Sequence, residues 1–222
     1  MKIIDEALQK GQTALSEYES KQVLAHYGIP VTKEKPVENK TDLLETIKEI
    51  GYPIVIKGCS PDIAHKTEKG LIHIDIRNED EALTAFNKLT AGMNGSGNSV
   101  LAQKMVKGKR ELVAGLTRDP QFGPCVMFGL GGIFTEILND VVFRVAPLEK
   151  RDALEMMREI KGSKILDAVR GMAAVDLNML ADILVTVGKI GIENKQIKEI
   201  DINPLIISAS KPVAADALIV LK

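Results

Sequence analysis

The first 58 residues contain the same helix–strand unit twice, and this repeat constrains the fold more than any other feature. The segment LSEYESKQVLAHYG has a capping signature and ends in Gly28, after which IPVTKEKPV alternates as a strand does. The segment DLLETIKEI, with Thr41 as its predicted cap, ends in Gly51 and leads into the strand YPIVIKG. The pattern predicts a chain in which helices and strands are mixed.

Strand-type segments dominate from residue 100, two helical stretches follow, and strand patterns close the chain. These segments are the strands 100–106, 111–119, 124–130 and 141–148, the helices 149–160 and 177–193, and the strands 197–208 and 212–221. Because this order is not a strict βαβ alternation, it favours an α+β fold of two lobes. A loop rich in Gly, Asn and Ser at 92–99 indicates their boundary. We therefore expect lobes at residues 1–96 and 97–222.

Composition excludes several classes of function. Of the 222 residues, 45% are apolar and 27% are charged, which is typical of a globular protein with a core. A net charge of −1 provides no basic stripe for nucleic acid. No stretch approaches the roughly 18 uncharged apolar residues of a membrane span, and residues 1–12 lack the apolar centre of a signal peptide. We expect a cytoplasmic protein that binds neither nucleic acid nor a membrane.

A long polar connection separates the strand patterns IVIKG and LIHIDI. Hairpin connections usually have two to five residues, whereas about a dozen lie here. They include His65, one of three histidines in the chain. Imidazole is largely neutral at pH 7 and can act as a nucleophile, so His65 is a candidate catalytic residue. A loop histidine without a chemical role is the simpler alternative.

Two further features have both a structural and a functional explanation. Lys57 ends an apolar strand, where its ammonium could reach towards water or could contact a phosphate. The cluster FGLGG at 128–132 fits a tight turn equally well as a close approach of the backbone to an anion.

The segment KEIDINPL is more informative, because strand periodicity places Glu199, Asp201 and Asn203 on one face and two isoleucines on the other. Oxygen-bearing side chains in a row suit Mg²⁺, although a solvated strand face has the same pattern. Asp216 lies among small and apolar residues in VAADALIV, where a carboxylate needs a cation or hydrogen-bond donors. If the last two predicted strands pair, Asp216 could face Asn203 and complete a metal site.

Together these segments resemble the ATP-grasp β subunit of the ADP-forming acetyl-CoA synthetases, in the nucleoside-diphosphate-forming acyl-CoA synthetase superfamily. The resemblance covers nearly the whole chain, through LSEYESKQVLAHYGIPV, YPIVIKGCSPDIAHKTEKGLIHI, EIDINPL and AADALI, and SPDIAHKTEKG is its most specific part. It implies an ATP-grasp fold of two lobes with the nucleotide bound between them. The phosphohistidine loop 58–70 belongs to the N-terminal lobe, and the hinge and the metal site belong to the C-terminal lobe.

The resemblance also implies an acid–thiol ligase that uses Mg²⁺ and converts acyl-CoA, ADP and phosphate to the free acid, CoA and ATP. A separate α subunit binds CoA and the acyl group, and the two subunits form an α2β2 heterotetramer. The phosphoryl group passes from a histidine of that subunit to His65 and then to ADP. The residues that match nucleotide-contacting positions are Lys57, Gln103, Val106 and Glu111, and those that match metal positions are Asn203, Asp216 and, as a further candidate, Asp201.

Two other functions stay open at this point: a succinyl-CoA-synthetase-like β subunit and a non-catalytic nucleotide-sensing ATP-grasp module. The presence of Lys57, His65, Asn203 and Asp216 argues against a degenerate, non-catalytic module. The length of the loop fits the transfer between subunits that the resemblance implies. The seven residues from Gly58 to His65 could extend about 23–25 Å at 3.3–3.6 Å per residue. A mobile loop of this length could carry a phosphoryl group between sites in two subunits, whereas a short hairpin could not.

Overall fold

The structure is a computed structural model that describes residues 1–59, 70–92, 99–132 and 139–222. Within these ranges the chain forms six α-helices, one 3₁₀ helix and ten strands in two antiparallel sheets. The helices are α1 (Lys2–Gln9), α2 (Glu17–His26), α3 (Lys40–Ile50), α4 (Glu79–Gly92), α5 (Lys150–Glu159) and α6 (Leu177–Glu193), with the 3₁₀ helix at Ser163–Leu166. The strands are β1 (Glu34–Val37), β2 (Ile54–Cys59), β3 (Ile72–Ile76), β4 (Ser99–Lys104), β5 (Arg110–Asp119), β6 (Gly123–Leu130), β7 (Val141–Val145), β8 (Ile197–Ser208), β9 (Lys211–Ala214) and β10 (Leu218–Leu221).

The chain divides into two compact units. The large unit contains Met1–Leu15, Glu19–Val31 and Val106–Lys222, and the small unit contains Ser16–Tyr18 and Thr32–Met105. Each unit has its own apolar core. Among the helices of the described ranges, none combines the length and the apolar character that spanning a bilayer requires.

These units differ from the predicted division at residues 1–96 and 97–222. Ala14 and Val31 form bridges with Val220 and Ala214, so N-terminal segments pack with the last strands of the chain. The strand β4 pairs with β1 and β2, which keeps the small unit continuous as far as Met105. Long-range strand pairing therefore decides the units, and the polar loop near residue 96 does not.

The small unit is an antiparallel sheet of order β1–β4–β2–β3 with α3 and α4 on one face. Ile54 and Ile56 of β2 and Ala102 of β4 pack with these helices in the core. Because side chains alternate along a strand, Lys57 lies on the opposite face of the sheet.

The large unit is built on a sheet of order β10–β8–β5–β6–β7, with β9 beside the second half of β8. Its core contains Leu180 and Leu184 of α6, Met156 of α5, and alternate residues of the central strands. Ile200 and Ile202 of β8 are at most 1% exposed in this core. The two isoleucines therefore share one face of β8, as alternation predicts, and this face is the buried one.

Two local predictions change in the structure. The cap of α3 is Asn39, whose side chain accepts a hydrogen bond from the Asp42 amide at 3.0 Å, and Thr41 lies inside the helix. The predicted final strand 212–221 is two strands, β9 and β10, with Asp216 in the break between them.

Candidate functional site

The strand β8 presents its polar residues on the sheet face that lies away from α5 and α6. Asp201 and Asn203 alternate with the two buried isoleucines, and Asp201 is half-buried while Asn203 is exposed. Periodicity alone predicts this arrangement, because the apolar alternate positions pin the strand to the core.

Asp216 stands opposite Asn203 across the interrupted ladder. Apart from a shift at Leu221, the strands β9 and β10 pair with the two halves of β8 in the same register, and continuing this register across the break sets residue 216 opposite residue 203. The Ala215 amide donates to the Pro204 carbonyl at 3.0 Å, which continues the pairing at the break. The pairing that the predicted metal site required is therefore present.

Negative charge accumulates around Asp201. Burial, followed by the negative charges of Glu199 and Asp216, raises the pKa of the Asp201 carboxyl from 3.8 to about 6. A hard cation would relieve this repulsion, because an opposite charge favours the ionised form of a carboxyl. The charge distribution therefore fits a bound Mg²⁺.

The described residues offer only a few protein ligands for a metal ion at this site. In the part of the chain that the structure describes, no three carboxylate, histidine or cysteine side chains are placed to hold a metal ion. Mg²⁺ usually retains waters and is bound through one or two carboxylates plus substrate phosphates. The oxygen donors of Asp201, Asn203 and Asp216 thus fit a Mg²⁺ whose coordination is completed by a phosphate ligand.

Glu111 lies near the start of β5, on the face opposite the core. It precedes Leu112 of the core, and it shares its face with Gly115, which pairs with Asp201 of β8. The Gly131 amide donates to the Glu111 carbonyl at 2.8 Å. A Cβ atom added at Gly131 would lie 2.8 Å from backbone atoms of β5. This close packing gives Gly131 of the cluster FGLGG a structural explanation.

Lys57 is buried in the small unit and has a carboxylate partner. It is 3% exposed, and its Nζ donates to Oε1 of Glu17 at 2.5 Å. The ammonium therefore does not reach solvent at the end of β2, and the alternative in which it extends towards water is wrong.

The predicted hinge residues lie at the end of β4. Gln103 is 3% exposed and lies on the same sheet face as Lys57, because Leu101 pairs with Lys57 and Gln103 follows two residues later. Val106 is half-buried and is the first residue of the large unit after the small unit ends at Met105. The predicted hinge thus coincides with the passage of the chain from one unit to the other.

His65 lies outside the described residues, together with residues 60–69 of the predicted phosphohistidine loop. The described end of that loop on β2 is Cys59, two residues after Lys57.

Two buried charges of α2 were missed by reasoning from the sequence. Glu17 and Lys21 are 4% and 0% exposed. A signal was available, because Glu17, Ser20, Lys21 and Leu24 are spaced as one helical face, and Leu24 is a core residue. Charged residues on the buried face of a helix indicate partners elsewhere in the chain.

The fold belongs to a known class. The sequence profile described as an ATP-grasp domain matches residues 6–221, and the chain belongs to this family. The predicted α+β ATP-grasp fold class is confirmed.

Similar proteins indicate a particular group within the ATP-grasp family. The chain is 46% identical over 215 residues to the acetate–CoA ligase (ADP-forming) I subunit beta of Pyrococcus furiosus, which covers 93% of this chain and 91% of the relative. A dinucleotide forming acetyl-coenzyme A synthetase 1 of Ca. Korarchaeum cryptofilum, solved with coenzyme A, Ca-AMPCP and HgCl⁺, matches with a TM-score of 0.96 and 38% identity over 100% of this chain and 99% of that chain. The predicted resemblance to the β subunits of ADP-forming acetyl-CoA synthetases, which are ligases, is confirmed.

Two further structures of the Korarchaeum protein concern its phosphohistidine segment. In one, at 37% identity and TM-score 0.89, the segment is phosphorylated and in the site I orientation. In the other, at 39% identity and TM-score 0.88, solved with coenzyme A and Mg-AMPPCP, the segment points towards the nucleotide binding site. Both matches cover 100% of this chain and 99% of that chain.

Proposed function

We propose that this chain is the nucleotide-binding β subunit of an ADP-forming acyl-CoA synthetase and acts with a separate α subunit that binds CoA and the acyl group. The complex converts acyl-CoA, ADP and phosphate to free acid, CoA and ATP. The observation that carries the proposal is the distribution of the polar site residues. Lys57 and Gln103 lie on the face of the small sheet opposite α3 and α4, and Glu111, Asp201 and Asn203 lie on the face of the large sheet opposite α5 and α6.

The phosphoryl group reaches ADP through His65 in two transfers. First, an imidazole nitrogen of His65 attacks the phosphorus carried by a histidine of the α subunit, and one N–P bond forms as the other breaks. Next, a β-phosphate oxygen of ADP attacks the same phosphorus, and the His65 nitrogen leaves. A covalent intermediate divides one difficult transfer into two easier ones.

Each transfer needs reacting atoms about 3–3.5 Å apart, so His65 has to move between two sites. The two orientations of the phosphohistidine segment in the Korarchaeum relative support such a movement. The segment between Gly58 and His65 could reach at most about 23–25 Å, further than a short hairpin allows.

Four residues contact the nucleotide in this proposal. Lys57 offsets negative charge on the phosphates, and Gln103 contacts the adenine. Val106 and Glu111 make the other nucleotide contacts.

Asp201, Asn203 and Asp216 hold Mg²⁺ in this proposal. The bound ion supplies positive charge at the phosphate oxygens, where phosphoryl transfer concentrates negative charge. These carboxylates lie on the face of the large sheet opposite α5 and α6. The diphosphate therefore binds on that face.

The test is an assay of ATP formation after copurification with a candidate α subunit, across several acyl-CoA thioesters. We expect ATP formation that needs both chains, in a complex whose mass, measured by light scattering, corresponds to α2β2. His65→Ala should abolish ATP formation and leave binding of Mg·ADP intact, and incubation with γ-³²P-ATP should label His65 in an acid-labile form. A His65→Ala complex with full turnover would remove this residue from the pathway, and His26→Ala serves as the matched control.

A further inference from the structure

A buried ion pair joins β2 to the start of α2. Lys57 and Glu17 are 3% and 4% exposed, and the Lys57 Nζ donates to Glu17 Oε1 at 2.5 Å. The two residues are 40 positions apart in the sequence, so tertiary structure brings them together.

The way the chain divides explains how Glu17 reaches β2. Ser16–Tyr18 belongs to the small unit, together with β2, whereas the following residues Glu19–Val31 belong to the large unit. The first turn of α2 is therefore assigned to the same unit as β2, and the remainder of the helix to the other. Its N-terminal position also suits a carboxylate, because the aligned peptide dipoles favour negative charge at this end of a helix.

Stability does not account for this pair. Removing two charges from water costs about as much as their mutual attraction returns, and well-packed apolar side chains of similar volume are often equally stable. The same sheet face accommodates apolar residues, since Val55 and Leu101 are 6% and 0% exposed. An apolar pair would therefore stabilise the fold at least as well here. What the ion pair provides instead is a charge at a fixed position.

We propose that Glu17 is a positioning residue, which holds the Lys57 ammonium charged and in place for the nucleotide phosphates; this inference rests on the proposed function. A contacting carboxylate favours the charged form of a buried amine. It also restricts a flexible four-carbon side chain, and phosphoryl transfer depends almost entirely on positioning and charge neutralisation. Glu17 touches no reacting atom and acts through Lys57.

The first experiment compares Glu17→Gln with Glu49→Gln in the complete complex with the α subunit. Glu49 is the matched control, because it also pairs with a lysine of the small unit, Lys35, but at the surface. We expect Glu17→Gln to lower kcat/KM for ADP about 10–100-fold, the range found when a residue that orients a metal ligand is lost. The KM for acyl-CoA should not change, and Glu49→Gln should match the wild type in both constants.

A double-mutant cycle then separates positioning from a structural role. If Glu17 acts through Lys57, the double variant Glu17→Gln/Lys57→Met should be no slower than Lys57→Met alone. Losses that multiply would show that Glu17 acts independently of Lys57 and would overturn the inference. Thermal unfolding of each variant gives the folded fraction, to which the rates are normalised.

If Glu17→Gln does not fold, Glu17→Asp decides the question, because it keeps the charge and withdraws the carboxylate by one methylene. Wild-type kcat/KM for ADP in a folded Glu17→Asp complex would contradict the positioning role, and a reduced value with an unchanged KM for acyl-CoA would support it. A wild-type complex that forms no ATP from any acyl-CoA would refute the proposed function and this inference with it. An active wild type and an equally active Glu17→Gln would refute the inference alone.

Discussion

The raised pKa of Asp201 leads to a quantitative prediction for the stability of the metal-free protein. The pKa of the folded state, about 6, exceeds the ordinary value of 3.8. Between these values the folded protein holds a proton that the unfolded chain has already released. The free energy of unfolding therefore falls as the pH rises from about 4 to about 6, and the loss persists at higher pH.

The size of this loss follows from the pKa difference. A change from 3.8 to about 6 corresponds to about 3 kcal/mol, because each pKa unit is worth about 1.4 kcal/mol. Asp201 is half-buried and keeps some contact with water, which reduces the expected loss to about 2–3 kcal/mol. Asp201→Asn removes the titration and keeps the shape, so the variant should be more stable than the wild type by this amount at pH 7.

The assay is equilibrium unfolding in guanidinium chloride with EDTA, at several pH values between 4 and 7. The difference in free energy of unfolding between Asp201→Asn and the wild type should grow across this range. Asp182→Asn is the control, since Asp182 is an exposed carboxylate of the same unit, 3.0 Å from Lys150, and such pairs contribute less than about 1 kcal/mol. A difference between Asp201→Asn and the wild type that stays constant from pH 4 to 7 would refute the reasoning.

Two further predictions test the packing around the site and the start of α3. Gly131→Ala should destabilise the protein by about 1–3 kcal/mol, because its Cβ would lie 2.8 Å from backbone atoms of β5. Gly92→Ala should not, because among the described residues its Cβ would meet no atom within 4 Å. Urea unfolding checks both variants, and equal effects would contradict the packing argument. Asn39→Ala should lower the free energy of unfolding by about 1 kcal/mol, because the N-cap of α3 is lost, and Thr41→Ala should lower it clearly less. Thermal unfolding measures both variants. A larger loss for Thr41→Ala would show that Thr41 is the cap.

Much of the fold could be predicted because its signals are local. The helices α5 and α6 and the strand β8 follow their periodic patterns almost residue for residue. The division into units could not be predicted in the same way. It depends on bridges such as Ala14 with Val220, which join residues about two hundred positions apart and leave no local pattern in the sequence.

In the candidate site, too, local patterns predict some features, and others depend on tertiary structure. Asp201 and Asn203 could be placed on one strand face from alternation alone. The partner of Lys57 could not be named, because Glu17 lies on another element, and only its position on the buried face of α2 indicated a tertiary role. A local pattern can indicate that a charge is buried. Only the tertiary structure shows which residue is its partner.

The core behind β8 fixes the position of its polar face. A strand whose alternate residues are buried cannot slip by one position without exposing all of them, so Ile200 and Ile202 fix the register of β8 against β5. A slip by one residue would carry Asp201 into the apolar core. Burying an unpaired carboxylate there would make the slipped register much less stable. The residues that form the core and those that would bind Mg²⁺ are thus specified by one and the same pairing, and the placement of the site needs no interaction beyond those that fold the sheet.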